Sequence, residues 1–527
     1  MACNEDTYAP GWRGTQDGAE ELVPAKASAA RVLAREALLG LSCVVVANYL
    51  GFGYFGIPYA APVALGLLAG TIAGLACSRW WLAGIVGGCG TIAGAFLGAA
   101  YSPGGSGTCT PPGAGWSVAV LAACMGAGIA AVLMKRRDLE RWVEWLGVAF
   151  VIVAACLYGS FVPANWKVEG GVTPADLFMS TPTVSTDMSD AHLFVLTVRR
   201  MNVGESYYSA MGRTLAQRNV LSARAGGGIT VNLQNPIVFR LPTLYWLLAA
   251  LPAGGYSWVI AMLVLVAAAV VAAWTIAARF THPAVALVGT AITGVYLAGF
   301  MSFVLPIAET WAGALALVAM ALALKSLSVR KKPLAWASAA AGVALLAAVT
   351  RELAVAFLLV GLASTLVPDR VRSRRLWIPW AVALGLAAIA YALHVQAVLA
   401  VVRTLPHVVG YSELGHFDPT GRGLVASVAF MANFTWWGLR TAWLILALGT
   451  VGGVVGPRDW PRRVLLGGVT VGGAVALFCL HPNTVAGAPI PGYWGYVVLP
   501  TVVACVPLAL ARMLGPRSRT LFACSAR

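Results

Sequence analysis

The chain has 527 residues, of which 59% are hydrophobic and only 11% charged, with a mean hydropathy of +0.79. That composition excludes a soluble globule, which could not bury so much apolar side chain, and places the chain in lipid. The net charge of +16 reads as an asymmetry between two membrane faces and not as a nucleic-acid footprint.

Residues 1–36 are polar and mixed in charge, without the basic start, apolar core and cleavage site of a signal peptide, and predict a cytoplasmic tail. Apolar runs long enough to cross roughly 30 Å of hydrocarbon as helices then fall near 37–57, 60–77, 80–101, 116–134, 145–162, 257–278, 283–304, 308–326, 335–349, 353–367, 376–396, 435–455, 463–480 and 493–511. The sequence thus predicts an all-α polytopic membrane protein of about 14 transmembrane helices. Within it, 335–349 and 353–367 are short for full crossings, and Asn48 and several glycines interrupt 37–57.

Orientation follows from Lys and Arg. With alternating spans and a cytoplasmic start, one side collects 25 of the 36 basic residues: Arg13, Lys26, Arg31, Arg35, Arg79, Lys135 to Arg141, Arg279, Lys325 to Lys332, Arg370 to Arg375, Arg458 to Arg463, and the tail from Arg512. The other side holds 11, seven of them in one long loop. Both termini are therefore expected in the cytoplasm of a multi-pass protein of the cell membrane. Seven cysteines lie in apolar spans, and only Cys109 is expected outside, which implies neither a disulfide framework nor a CxxC metal site.

The first membrane unit, 37–134, is a glycine-rich four-helix extension. Gly66, Gly70 and Gly74 on one helix, and Gly90, Gly94 and Gly98 on the next, repeat every four residues, and each run contains GTIAG. Such strips let neighbouring helices pack closely, or offer a docking surface for a partner subunit. The basic segment Lys135–Glu144 opens a core over 135–511, and 512–527 is a second cytoplasmic tail.

After the fifth span comes a long outer loop, 163–256, carrying Asp176, Asp187, Asp190 and Glu205. Long loops tend to be functional. Helical stretches are expected from about Ser189 to Arg200 and from Glu205 to Gln217, then a glycine-rich turn at Gly226–Gly228. Phe239-Arg240-Leu241-Pro242-Thr243 leads into Leu244–Leu251, too short to span and expected to lie in the interface as an amphipathic helix.

The run Asp190-Ala-His-Leu-Phe, the segment Gly204-Glu205-Ser206-Tyr207-Tyr208 and then Arg240-Leu241-Pro242-Thr243 resemble the first outer loop of the GT-C superfamily. These are integral-membrane glycosyltransferases that use polyprenyl-phosphate sugars. The resemblance extends to an outer acid at Glu309, to Thr350-Arg351-Glu352 between two short helices, and to Gly492-Tyr493-Trp494 before the last span. It covers roughly 145–511 and leaves the first four spans unexplained. It implies inverting, metal-independent transfer of a sugar from a polyprenyl-phosphate carrier to an envelope glycan or glycolipid, on the outer face of the cytoplasmic membrane. No cofactor beyond the lipid-linked donor is implied, and the partners are membrane lipid, carrier and acceptor. An acid early in the loop would be the general base: Asp190, with Asp187 as the alternative. The chain departs from the family in that the two acids lie three apart, where the family often pairs them directly.

The residue chemistry agrees. Transfer needs a carboxylate to take the acceptor's proton and a means of stabilising the departing phosphate. A helix-capping role accounts equally well for Asp187 or Asp190. Glu205 and Glu309 are candidate substrate contacts, the latter at an outer helix end where an acid is costly unless it faces protein or water. Arg240, where the loop returns to the membrane, and Arg351 can grip phosphate oxygens; interfacial anchoring, or an ion pair with Glu352, are their plainer roles. Arg403, Arg440, His407 and His416 populate the second outer loop, and His394 reads as a structural histidine. No metal-ligand spacing is present, the glycine turn lacks the Lys-Ser/Thr of a phosphate loop, and Asn433-Phe-Thr435 reads as a chance glycosylation pattern. A transporter or flippase would instead place ionisable groups or broken helices near the midplane. A scaffold would leave no acid facing a substrate.

Overall fold

A computed structural model of the protein describes residues 190–224, 238–251, 256–281, 307–329, 331–367, 375–405, 416–417, 420–435, 438–481 and 492–513, with isolated positions between 148 and 152, at 233 and between 285 and 297. The four spans expected over 37–134, together with Asp176, Asp187 and His407, lie outside the described residues.

The described chain is helical. In order it forms α1 (Asp190–Asn202), α2 (Tyr207–Arg224), α3 (Thr243–Ala250), α4 (Tyr256–Phe280), α5 (Ala308–Ser326), α6 (Pro333–Thr350), a 3-10 turn (Glu352–Ala354), α7 (Val355–Leu366), α8 (Ile378–Val402), α9 (Arg422–Thr435), α10 (Gly438–Val455) and α11 (Trp460–Cys479). A 3-10 stretch (Gly492–Val497), α12 (Leu499–Ala504) and α13 (Val506–Met513) complete it. Among the described residues one strand pairing joins His416–Phe417 to Leu480–His481, antiparallel, and fastens residues 416–417 to the end of α11.

Among the described residues five helices are long and apolar enough to cross a membrane, those at Ile260–Phe280, Ala308–Ser326, Pro333–Thr350, Ile378–Val402 and Trp460–Cys479. The 19 residues of α5 rise about 28 Å at 1.5 Å each, close to the hydrocarbon thickness. Three of the expected spans need correction. The run expected at 335–349 is a helix of 18 residues, because Pro333 sits in its first turn and starts it earlier. The span expected at 435–455 instead follows a separate helix, α9, and its apolar part, Ala442–Val455, is shorter than a crossing. The span expected at 493–511 is broken into three pieces. Pro500 and Pro507 each stand in the first turn of a new helix, where the missing N–H and fixed φ are tolerated; deeper in a helix each would clash with the preceding turn.

That broken segment lies inside the bundle, with Leu499 to Ala509 buried. Glycines on its neighbours let its backbone come close. A Cβ added at Gly313 on α5 would sit 1.9 Å from Tyr496 O, one at Gly449 on α10 2.1 Å from Val502 O, and one at Gly452 2.0 Å from Cys505 O. The central helix is α5, with 78% of its apolar window buried, packed against α4, α6 and the Gly492–Ala504 stretch. By contrast, α8 is peripheral at 22%. It rests on α6 and α7 and presents Val382, Leu386, Ile389 and Leu393 outward, as a lipid-facing helix should.

The segment from α1 to α3 forms a roof over one end. α1 ends at a Gly204 turn whose φ of +98° suits glycine, and the Ser206 hydroxyl accepts from the Ser209 N–H at 3.4 Å at the start of α2. The second loop helix runs seven residues beyond the expected Gln217, to Arg224. It buries Tyr207, Ala210, Met211, Thr214 and Leu215, the spacing of one helical face, against α1. The α3 helix is not amphipathic: it buries Leu244, Tyr245 and Leu248 and exposes Trp246 and Leu247, so both its faces are apolar. Its outer face is suited to hydrocarbon rather than to water.

Candidate functional site

Charges divide between the two ends of the bundle. Glu309, in the first turn of α5, and Lys325, in its last, are about 24 Å apart along the axis at 1.5 Å per residue. At the Lys325 end the described groups are mostly basic and held by local partners. Lys325 lies 3.6 Å over the Trp336 ring, Arg462 bonds Leu327 O at 3.3 Å and pairs with Asp459 at 2.7 Å, and Arg512 bonds Gly456 O at 3.2 Å.

At the Glu309 end, beneath the roof, sits a cluster of opposite charges. The α6 helix stops at Thr350, and Arg351 turns to an extended conformation with φ −147°. Its Nε comes 2.7 Å from Glu309 Oε1, with side chains only 3% and 1% exposed. Neither atom has an aligned hydrogen-bond partner among the described residues, so the contact is one of charge rather than direction. The same guanidinium donates through Nη1 to Glu352, whose side chain is 38% exposed. Burial alone would push the Glu352 carboxyl up, yet the Arg351 and Arg240 guanidiniums, with hydrogen bonds from the backbone and Arg351, hold it below the ordinary glutamate range. Arg240 is itself buried, in a stretch where Val238 to Pro242 are all buried.

Aromatic and imidazole groups line the cluster. Tyr207 donates to Arg240 O at 2.5 Å. Its ring stacks on Tyr245 (5.3 Å, 14°) and meets Tyr208 edge-on (5.1 Å). Burial, with Tyr245 and Tyr208 adding to it, pushes the Tyr207 phenol far above its ordinary range, so it remains a hydrogen-bond donor; burial raises Tyr208 as well. The Tyr208 hydroxyl lies 3.1 Å from His394 Nδ1, and His394 Nε2 lies 3.3 Å from Phe239 O. Tyr391 on α8 donates to Ala348 O at 3.0 Å, one turn before Arg351.

The structure thus brings Glu309, Arg240 and Arg351 to one end of the bundle. Asp190 is the first residue of α1, one helical turn ahead of Phe194, whose ring lies 5.3 Å from Tyr245. Glu205 is engaged elsewhere: it pairs with Arg200 at 3.3 Å and Arg213 at 3.4 Å in the α1–α2 turn. Arg403 and Arg440 are exposed, and His416 lies in the strand pairing. Among the described residues no group of three or more His, Cys, Asp or Glu gathers as a metal-binding set.

The ion pair of Arg351 with Glu352 that the sequence suggested is present, whereas sequence reasoning missed Tyr207, Tyr208 and His394 as members of the cluster. For His394 a signal existed. Trp380, Ala383, Ala387, His394, Val398 and Val402 are the buried residues of α8, and their spacing of three and four marks one helical face. On a helix otherwise turned to lipid, a histidine on that face must meet protein.

No protein-family model, curated protein or solved structure matches this chain.

Proposed function

We propose that the protein is a polytopic membrane glycosyltransferase of GT-C type, with about 14 spans in the full chain, acting at the outer face of the cytoplasmic membrane. On this reading it moves a sugar from a polyprenyl-phosphate carrier to a glycan or glycolipid acceptor of the cell envelope. The observation that supports it best is the cluster of two guanidiniums and two carboxylates at one end of an apolar bundle, roofed by a re-entering segment with an apolar outer face. Ionisable groups held at that depth are expensive and point to function.

The chemistry is an inverting displacement. Asp190 takes the proton of the acceptor hydroxyl, its oxygen attacks the anomeric carbon, and the bond from that carbon to the carrier phosphate breaks. The phosphate leaves with the bonding electrons, and Arg240 offsets the charge that develops on it. Arg351 orders the two carboxylates and has its guanidinium divided between them.

Two measurements test the proposal. Lipid extracted with the purified protein should contain a polyprenyl phosphate by mass spectrometry. Asp190→Asn should lower transfer by roughly 10²–10⁴-fold with carrier binding retained, and Asp187→Asn should do less. If the Asp187 change is the crippling one, the loop assignment stands and the choice within it falls; if neither change matters, the catalytic reading fails.

One observation favours a transporter of a lipid-linked substrate as the second reading. The Gly492–Met513 segment is broken at Val498 and Cys505 inside the bundle, and Thr501 between the breaks carries a buried hydroxyl with no hydrogen-bond partner among the described residues. Carrier movement across vesicles without sugar transfer would favour that reading.

A further inference from the structure

Phe239 and Arg240 are consecutive, and the carbonyls of both are taken by side chains from other elements. His394 Nε2, on the spanning helix α8, meets Phe239 O at 3.3 Å; Tyr207 Oη, at the start of α2, donates to Arg240 O at 2.5 Å. A carbonyl oxygen can only accept, so Nε2 must carry a hydrogen. A neutral imidazole has one such hydrogen, which leaves Nδ1 as acceptor for the Tyr208 hydroxyl at 3.1 Å. The tautomer of His394 is thereby fixed, and one side chain links the bundle both to the roof and to the re-entering segment.

Tyr207 has little freedom to let go. Its ring is held between the stacked Tyr245 and the edge of Tyr208, and its residue is 2% exposed. With the carbonyls of Arg240 and of the residue before it both engaged, the Arg240 backbone cannot rise or sink relative to α8 without breaking a buried hydrogen bond.

We propose that His394 and Tyr207 are positioning residues for Arg240, setting the depth at which its guanidinium meets the phosphate of a polyprenyl lipid. The inference rests on the reading of Arg240 as the clamp on the carrier phosphate. It makes His394 more than a packed structural histidine, because its effect is specific to the charged end of the ligand.

The test is binding of three probes to the full chain in phosphatidylcholine nanodiscs: a polyprenyl phosphate, the matching uncharged polyprenol, and inorganic phosphate. The wild type should prefer the polyprenyl phosphate, and Arg240→Gln should remove that preference. His394→Asn, whose shorter amide can still meet Tyr208 but not Phe239 O, should weaken polyprenyl-phosphate binding on the order of tenfold, as should Tyr207→Phe. Polyprenol binding should stay unchanged in both, which also certifies that the variants are folded. His394→Gln, whose amide nitrogen falls where Nε2 was, should stay within about twofold of wild type. The positioning role is overturned if the Asn and Phe variants bind like wild type, if Gln is as weak as Asn, or if both lipids weaken together. A wild type without preference for the phosphate would instead overturn the Arg240 reading beneath it. Inorganic phosphate binding as tightly as the lipid would overturn the lipid source.

Discussion

Replacing Arg351 with Met should be the most damaging single change in the charged cluster. Arg351 and Glu309 are 3% and 1% exposed and 2.7 Å apart, so removing the cation leaves a carboxylate buried without its partner, at a cost of about 3–5 kcal/mol. Glu352 differs in one respect: its side chain is 38% exposed, so its ion pair is partly screened by solvent, and Glu352→Gln should cost less than about 1 kcal/mol at neutral pH. Removing both buried charges, with Arg351→Met and Glu309→Leu together, should recover most of the loss, because apolar replacement of a buried pair is often neutral. Equilibrium unfolding of the purified protein in mixed micelles, run as a double-mutant cycle, measures all four states. A double variant that loses the sum of the two singles, or a Glu352→Gln as damaging as Arg351→Met, would refute the reasoning. The Glu352 carboxyl is held below its ordinary range in the folded protein. Its contribution is therefore full above the unfolded value of about 4.3 and is lost as pH falls through the folded value. The gap between wild type and Glu352→Gln should close on acidification below about pH 4.

Two further expectations follow from packing and from charge. Gly313→Ala should block stable assembly, because its Cβ would lie 1.9 Å from the backbone oxygen of Tyr496, while Gly342→Ala, with nothing within 4 Å, should unfold at or above the wild-type temperature; equal behaviour of the two would refute the close approach of α5 to the last segment. With Cys109 replaced, an impermeant thiol reagent applied to intact cells should modify a cysteine placed at the exposed Val203 and miss one at Lys331. The reverse pattern would place the roof in the cytoplasm.

The transmembrane character of the chain was legible because apolar length is a one-dimensional signal: the run expected at 308–326 and the helix Ala308–Ser326 coincide. The two loop helices were legible for a related reason, since Gly204 and Ser206 are cap residues that mark where one helix ends and the next begins. Prolines were read less well. Pro500 and Pro507 lie in a run apolar enough to span, and hydropathy cannot see that each one restarts the helix. The charged cluster was legible only in part. Arg240, Arg351 and Glu309 attracted notice as ionisable groups at apolar boundaries, but the pairing of Arg351 with a residue 42 positions earlier is a tertiary fact with no periodicity to reveal it. Glu205 misled for the opposite reason. Beside Tyr207 and Tyr208 in sequence, it turns to Arg200 and Arg213 on the helices it joins.

Stability alone gives no reason to keep this cluster. Two guanidiniums and two carboxylates at the end of an apolar bundle do no more for folding than well-packed hydrophobic residues of the same volume would, and each ionisable group at that depth carries a desolvation cost. The cluster is also organised asymmetrically. Arg351 spends its guanidinium on two acids, one sealed and one partly exposed, while Arg240 has its own carbonyl and the one before it fixed by Tyr207 and His394. On the proposed reading the two arginines therefore have different tasks: the first holds Glu309 and Glu352 in place, and the second holds a cation at a set depth under an apolar roof. On that reading Asp190 takes the acceptor's proton and the negative charge that collects on the carrier phosphate meets Arg240, so the second task faces the reacting atoms and the first keeps the end of the bundle in order. A scaffold needs neither, and a transporter would gain more from such groups nearer the breaks at Val498 and Cys505 than from a fixed array at the bundle's end.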